Sequence, residues 1–209
     1  MASMKLNRLE QYLQQVDAFN APKIKFEQYM TPPNIAACML YTIQSSYNDL
    51  EGKFIADLGC GTGMLSIGSL LLGAEFCIGF DIDNDALNVC ATNMDEFDLT
   101  SYDLVSCDVS MINETLSKKF DTVILNPPFG TNKKGVDMDF LKIAISLAQN
   151  SVYSLHKTST RDYVSTKARS WNVKNKVIAE LRFNLPHSYK FHTKKSVDVS
   201  VDLHRFWDL

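Results

Sequence analysis

Four consecutive residues carry groups suited to chemistry on a flat amine. Asn126-Pro127-Pro128-Phe129 directly follows a short apolar run that ends at Leu125. The Asn126 side-chain oxygen and the Pro127 carbonyl can each accept one hydrogen of an amino group, while Phe129 offers a face for stacking a base. Two prolines restrict the loop, so the acceptors are aimed before substrate arrives. We predict that these four residues are catalytic and act by positioning a planar amine; the simpler interpretation of Asn-Pro-Pro is a rigid turn.

A glycine-rich loop follows an earlier apolar run. Residues 57–63 read Asp-Leu-Gly-Cys-Gly-Thr-Gly, and glycines permit tight turns and close approach of a ligand. Asp81 and Asp108 end the next two predicted strands, the edge at which open parallel sheets bind ligands. Asp81 suits ribose hydroxyls and Asp108 suits an adenine amino group, which together predict S-adenosylmethionine as the cofactor. Met64 stands where a dinucleotide fingerprint needs its third glycine, and no phosphate-loop Gly-Lys-Ser/Thr occurs. Three turn glycines without a ligand are the alternative.

The elements that must position these loops alternate along the chain. Apolar periodicity predicts helices at 5–17, 31–47, 64–72, 84–97, 140–149 and 162–171, with Thr31 as a cap, and strands at 54–58, 76–81, 104–107, 122–125 and 151–155. Such alternation predicts a parallel sheet with helices on both faces. Two further strands, at 174–183 and 197–206, are joined only by a loop and predict an antiparallel hairpin.

This pattern predicts an α/β fold of the Rossmann-like class I methyltransferase type, with a seven-stranded, mostly parallel sheet and a C-terminal antiparallel hairpin. We expect residues 1–209 to form a single methyltransferase domain. Within it, residues 1–50 form a helical extension that contributes to the cofactor lid, and residues 51–209 form the Rossmann-like core.

The net charge of −3 hides two unlike halves. Residues 1–130 carry 7 Lys and Arg against 17 Asp and Glu, whereas residues 131–209 carry 14 against 7. A basic half can attract phosphates, although a solvated surface without a partner explains it equally well. In the predicted hairpin loop, aromatic and cationic side chains interleave, which suits single-stranded nucleic acid, with a solvated loop as the alternative. The predicted RNA contacts there are Lys190, Phe191, Lys194 and Lys195.

Cysteine usage and hydropathy argue against disulfide-rich, metal-binding and membrane proteins. The five cysteines are odd in number and include no Cys-x-x-Cys pair, so we expect neither a disulfide framework nor a metal site. No apolar run approaches the ~18 residues of a membrane span, so we expect no membrane association.

Both loops resemble the motifs of adenine-N6 and glutamine methyltransferases, whose shared catalytic signature is Asn/Asp-Pro-Pro-Tyr/Phe. Residues 28–32, Gln-Tyr-Met-Thr-Pro, resemble the segment that many N6-adenine enzymes place over the methionine end of the cofactor. Over essentially its whole length the chain is similar to ribosomal-RNA adenosine-N6 methyltransferases, which have phenylalanine at the fourth signature position. The resemblance implies cofactor contacts at Gln28, Thr31, Asp57, Gly59, Cys60, Gly61, Thr62, Gly63, Asp81, Ile82, Asp108, Val109 and Asn126.

The same resemblance implies N6-methylation of an adenosine in RNA, specifically small-subunit (18S) ribosomal RNA. It also implies a heterodimer with a small zinc-containing activator subunit shared among several methyltransferases, for which the predicted edge strand 104–107 is the expected contact. The expected location is the nucleus, including the nucleolus, and the cytoplasm. A protein glutamine N5-methyltransferase, a DNA adenine methyltransferase and a noncatalytic methyltransferase-like subunit stay open as alternatives.

Overall fold

The computed structural model describes residues 4–112, 114–186 and 196–209. Helices α1 to α6 and strands β1 to β7 follow in chain order, with short 3-10 turns between some of them. The helices are α1 (Leu6–Leu13), α2 (Pro33–Tyr47), α3 (Met64–Leu71), α4 (Asn84–Glu96), α5 (Val136–Leu147) and α6 (Arg161–Ser170). The strands are β1 (Phe54–Leu58), β2 (Phe76–Asp81), β3 (Tyr102–Ser106), β4 (Phe120–Leu125), β5 (Ala148–Lys157), β6 (Lys174–Pro186) and β7 (Ser196–Trp207).

The seven strands form one sheet in the order β3-β2-β1-β4-β5-β7-β6. The first five run parallel, and β7 pairs antiparallel with both β5 and β6. Strands β1 and β4 are almost entirely buried because helices cover both faces of the sheet. One core packs α1 to α4 against one face, and a second packs α5 and α6 against the other. The predicted mostly parallel sheet with a C-terminal hairpin is confirmed.

Strand order reverses between β1 and β4, and this reversal positions the site. In open α/β sheets ligands bind in the crevice outside the carboxyl ends of the strands at such a point. Leu58 ends β1 directly opposite Leu125, which ends β4. The glycine-rich loop and the Asn-Pro-Pro-Phe loop therefore leave the sheet side by side, although about 65 residues separate them in the chain.

Several predicted boundaries differ from the structure for local reasons. Helix α5 begins at Val136 rather than 140 because Gly135, with a φ of +85°, ends the preceding turn there. It ends at Leu147 and passes straight into β5, and the Lys118 ammonium group donates to carbonyls at this end of α5 and the start of β5. Thr31 does not cap α2: Pro32 holds the cap position, without a side-chain hydrogen bond.

No helix in the described part of the chain is long and apolar enough to cross a membrane.

Candidate active site

A cavity of about 340 Å³ opens at the carboxyl ends of β1, β2 and β4. Ligand pockets for small molecules begin at about this size. The predicted cofactor and catalytic residues that line it are Gln28, Thr31, Asp57, Gly59, Cys60, Gly61, Thr62, Asp81, Ile82, Asp108, Val109, Asn126 and Pro128. Gly63, Pro127 and Phe129 belong to the same two loops. The structure thus gathers the two motifs and the 28–31 segment around one space.

Two glycines of the loop are required by both backbone and packing. Gly61 and Gly63 have φ values of +56° and +92°, a region that side chains with a Cβ rarely adopt. A Cβ on Gly63 would lie 2.6 Å from the Cys90 sulfur, and one on Gly61 would lie 2.9 Å from the ring of Phe19. The loop can therefore pass close under α4 and the N-terminal segment only without side chains at these positions.

Asp57 lines the cavity and has an unpaired polar atom. Its side chain is 1% exposed, and one oxygen accepts a hydrogen bond from the Ser66 hydroxyl at 2.6 Å. The other oxygen, Oδ1, is buried with no hydrogen-bond partner. Burial raises the pKa of Asp57 to about 7, since desolvation disfavours the charged form. A buried carboxylate oxygen without a partner is costly, so a hydrogen-bond donor or a cation placed beside it would be stabilising.

The two strand-end acids differ in environment. Asp81 accepts from the backbone N–H of Gly61 and of Asp83, both at 2.9 Å, and burial still raises its pKa. Asp108 is exposed, and hydrogen bonds from the Ser110 hydroxyl and amide lower its pKa. Asp81 therefore braces the glycine loop, while Asp108 stays charged at the rim.

The N-terminal segment is fastened across the cavity. Gln28, 7% exposed, donates to Asp83 Oδ2 at 2.7 Å, and the Lys23 ammonium donates to Asp83 Oδ1 at 2.6 Å. Burial alone would raise the pKa of Asp83, but the bonds from Lys23 and Gln28 lower it overall. On the other side, Asn132 of the loop after Phe129 donates to Glu27 and to the Ile24 carbonyl, each at 2.7 Å. The segment predicted to contribute to a cofactor lid is thus hydrogen-bonded on both sides of the cavity that it lines.

The orientation of Asn126 is set by two residues from the same segment. Its amide nitrogen donates to Thr31 Oγ1 at 2.9 Å. Its oxygen accepts from the Tyr29 hydroxyl at 3.3 Å, and the Pro127 carbonyl lies 3.4 Å from the same hydroxyl. Both predicted amine acceptors therefore point to one spot beside the cavity.

Three aromatic rings close that spot. Phe129 and Tyr29 have ring centroids 5.5 Å apart at 37°, and Phe183 of β6 meets both rings edge-on, at 6.0 and 6.1 Å. The Lys157 ammonium lies 5.8 Å from the Phe129 centroid. Flat apolar walls with a cation at the edge suit a nucleobase.

The sequence analysis assigned no individual role to Tyr29, Phe183 or Asn93, although Tyr29 lies in the 28–32 segment that resembles a cofactor-covering motif. Asn93, fully buried in α4, donates to the carbonyls of Thr62 and Asp17 and accepts from the Asp17 amide. It thereby joins the N-terminal segment to the glycine loop. The signal that could have identified Asn93 is a polar residue on the buried, mainly apolar face of α4. The predicted RNA contacts Lys190, Phe191, Lys194 and Lys195 lie outside the described residues.

Comparison with known proteins gives the family. A family model described as Ribosomal protein L11 methyltransferase (PrmA) matches residues 36–127. The chain is 59% identical over 204 residues to rRNA N(6)-adenosine-methyltransferase METTL5 of Danio rerio, covering 97% of this chain and 99% of that protein. It is 53% identical over 208 residues to rRNA N(6)-adenosine-methyltransferase Mettl5 of Drosophila melanogaster, covering 99% and 98%.

A solved structure agrees with these relatives. A crystal structure from Pyrococcus horikoshii, provisionally assigned as an RNA methyltransferase, matches with a TM-score of 0.86 at 35% identity, covering 98% of this chain and 96% of that one. With such identities over nearly its whole length, the chain belongs to the rRNA N6-adenosine-methyltransferase family.

Proposed function

We propose that this chain uses S-adenosylmethionine to methylate the N6 amine of an adenosine in the RNA of the small ribosomal subunit. One observation carries the proposal: the Asn126 and Pro127 oxygens converge within reach of a single hydroxyl, at the rim of the cavity that the glycine loop lines. An adenine amine offers two N–H groups to such a pair.

The residues around the cavity fit the proposed cofactor. The unpaired Asp57 Oδ1 suits a positively charged amino group, as the methionine end of the cofactor has. Ile82 is 45% exposed and lines the cavity, which suits an adenine face, and the neighbouring carboxylates Asp81 and Asp108 suit hydroxyl and amino donors. When bound, S-adenosylmethionine supplies a methyl group made electrophilic by its positively charged sulfur.

The chain's own contribution is to present the amine. The adenine lone pair is delocalised into the ring, so the amine is a weak nucleophile. Asn126 Oδ1 and the Pro127 carbonyl each accept one N–H, which favours a pyramidal nitrogen with a more available lone pair, while Phe129 stacks on the base. Positioning of this kind supplies much of the rate enhancement in two-substrate reactions. The surplus amine proton leaves to water, and no side chain needs to act as a nucleophile.

The target base must be unpaired or flipped out to reach this position, because the acceptors lie among three aromatic rings rather than on an open surface. The basic residues after position 130 supply charge for the flanking phosphates.

Replacement of the acceptor tests the proposed role. We expect Asn126→Ala to lower kcat by about a hundredfold or more while the affinity for S-adenosylmethionine, measured by calorimetry, changes little. Asn88→Ala, at an exposed position of α4, is the matched control and should behave as the unsubstituted chain. Near-normal turnover of Asn126→Ala would remove the proposed role.

Transfer of a labelled methyl group tests the substrate. Small-subunit rRNA, duplex DNA and ribosomal protein are each incubated with the chain and labelled cofactor. We expect label in the RNA, recovered as N6-methyladenosine after digestion. Label in protein instead would favour a protein methyltransferase, the class named by the family model that matches residues 36–127.

We also propose a small zinc-containing partner subunit at the β3 edge. Strand β3 ends the sheet and pairs only with β2 among the described residues. A strand edge that is left unpaired offers its backbone N–H and C=O groups to another chain. Hydrogen exchange at residues 102–106 should slow when the partner is added, whereas the opposite edge, β6, should be unaffected. A soluble, fully active isolated chain would argue against the partner.

An rRNA substrate predicts residence in the nucleus, including the nucleolus, and in the cytoplasm, which imaging of a tagged chain checks.

A further inference from the structure

The amine acceptors are already engaged within the chain itself. The Tyr29 hydroxyl lies 3.3 Å from Asn126 Oδ1 and 3.4 Å from the Pro127 carbonyl, so one O–H is shared between two acceptors. Burial, followed by the nearby Glu27 carboxylate, raises the pKa of Tyr29 well above its ordinary value. The hydroxyl therefore keeps its proton and acts as the donor at physiological pH.

The Tyr29 ring also fills the space beside the stacking surface. Its centroid is 5.5 Å from that of Phe129, and Phe183 packs edge-on against both rings. A base stacked between two rings needs about 3.5 Å on each side, or ~7 Å in all. A nucleobase therefore cannot enter between Tyr29 and Phe129 while the ring keeps this position.

The backbone on either side of Tyr29 is held in place. Gln28 is fastened to Asp83 at 2.7 Å, and Thr31 accepts from Asn126 at 2.9 Å. The movement that frees the acceptors is therefore a rotation of the Tyr29 side chain within a fixed segment, without opening of the lid.

We propose that Tyr29 occupies the position of the target base in the RNA-free chain: its hydroxyl bonds to the amine acceptors and its ring covers Phe129 until an adenine displaces both. The inference rests on the proposed function, since it assigns these acceptors to the target amine. The Tyr29 hydroxyl shares one O–H between the two acceptors at long distances, so each of its hydrogen bonds is weak, whereas an adenine amine supplies one N–H to each acceptor. Displacement costs the same for every base, so Tyr29 weakens the binding of substrate and methylated product by one common factor and assists product release.

Tyr29→Phe isolates the hydroxyl because it keeps the ring against Phe129 and Phe183. The assay measures the Kd of short RNA oligonucleotides that contain adenosine or N6-methyladenosine, with S-adenosylhomocysteine present so that no methyl group is transferred. We expect both Kd values to fall by the same factor, roughly three- to tenfold, as for loss of a competing hydrogen bond. Tyr12→Phe, which removes a hydroxyl that contacts Arg8 on α1, is the matched control and should leave both Kd values unchanged.

The alternative is that Tyr29 only positions Asn126. That role predicts a lower kcat for Tyr29→Phe with unchanged Kd values, and this result would overturn the proposal, as would weaker binding of either oligonucleotide. The same substitution made in an Asn126→Ala chain should produce a smaller gain in affinity because one of the two contested acceptors is gone. An equal gain in both backgrounds would also overturn it.

Failure of this inference is distinguishable from failure of the proposed function. If the unsubstituted chain makes N6-methyladenosine in RNA but Tyr29→Phe leaves RNA affinity unchanged, the acceptors serve the amine and Tyr29 does not compete for them. If the unsubstituted chain makes no N6-methyladenosine, the proposed function fails first.

Discussion

Removal of the Thr31 hydroxyl should slow methyl transfer without unfolding the site. In the orientation of Asn126 that accepts an amine hydrogen, the amide nitrogen needs an acceptor of its own. Thr31 Oγ1 supplies it at 2.9 Å, and Thr31 is 6% exposed. Valine has nearly the shape of threonine but offers no acceptor, so Thr31→Val leaves this nitrogen unpaired in the active orientation.

The size of the effect follows from burial. A buried donor that loses its partner costs about 1–3 kcal/mol. Asn126 is half-buried, and water can partly replace the acceptor, which places the cost in the lower part of that range, about 1–2 kcal/mol. At about 1.4 kcal/mol per tenfold in rate, kcat should fall roughly 5- to 30-fold. Thr31→Ser keeps the hydroxyl and should stay within about threefold of the unsubstituted chain.

Single-turnover methyl transfer to rRNA measures this effect directly, and calorimetry with S-adenosylmethionine supplies the control. A kcat for Thr31→Val within twofold of the unsubstituted value would refute the reasoning. A parallel loss of cofactor affinity would show that Thr31 acts through cofactor binding, the role expected from its position in the 28–32 segment.

Three further perturbations separate the parts of the site. Burial raises the folded pKa of Asp57 to about 7, above its unfolded value, so the contribution of Asp57 to the free energy of unfolding is complete below pH ~4 and is lost as pH rises through 7. Asp57→Asn should flatten this decline, which amounts to as much as about 4 kcal/mol, in urea unfolding of the cofactor-free chain. An unchanged dependence of stability on pH in Asp57→Asn would contradict this expectation. Asn93→Ala removes three hydrogen bonds of a fully buried side chain and should cost about 2–4 kcal/mol of unfolding free energy and weaken cofactor affinity. A loss of unfolding free energy below about 0.5 kcal/mol would contradict the role of Asn93 in joining the N-terminal segment to the glycine loop. Neutralising Lys190, Lys194 and Lys195 together should weaken RNA binding and flatten its salt dependence, by about 0.7 in slope for each phosphate that is no longer neutralised, and an unchanged slope would exclude RNA binding by these lysines.

Local patterns predicted the framework of this site because they act over a few residues. Buried apolar runs followed by glycine or proline predicted β1 and β4, and right-handed crossovers placed their carboxyl ends together. The two loops that follow those strands could thus be expected in one crevice. The hairpin of β6 and β7 was predicted from its alternating pattern, although not that β6 brings Phe183 against Phe129.

The contacts that organise the proposed amine site could not be predicted in this way. Tyr29 and Thr31 reach Asn126 across 97 and 95 positions of the chain. The predicted cap at Thr31 was wrong because the hydroxyl has a better partner in Asn126 than in the first turn of α2, where Pro32 already holds the cap position. Hydrogen bonds between distant segments depend on where the fold places each side chain, which periodicity does not specify.

These long-range contacts join the N-terminal segment to the proposed amine site. Within four residues, Gln28 fastens the lid to Asp83, Tyr29 holds the amine acceptors, and Thr31 orients Asn126. A change that loosens the lid must therefore also disturb the orientation of the acceptors, because the same short backbone carries both.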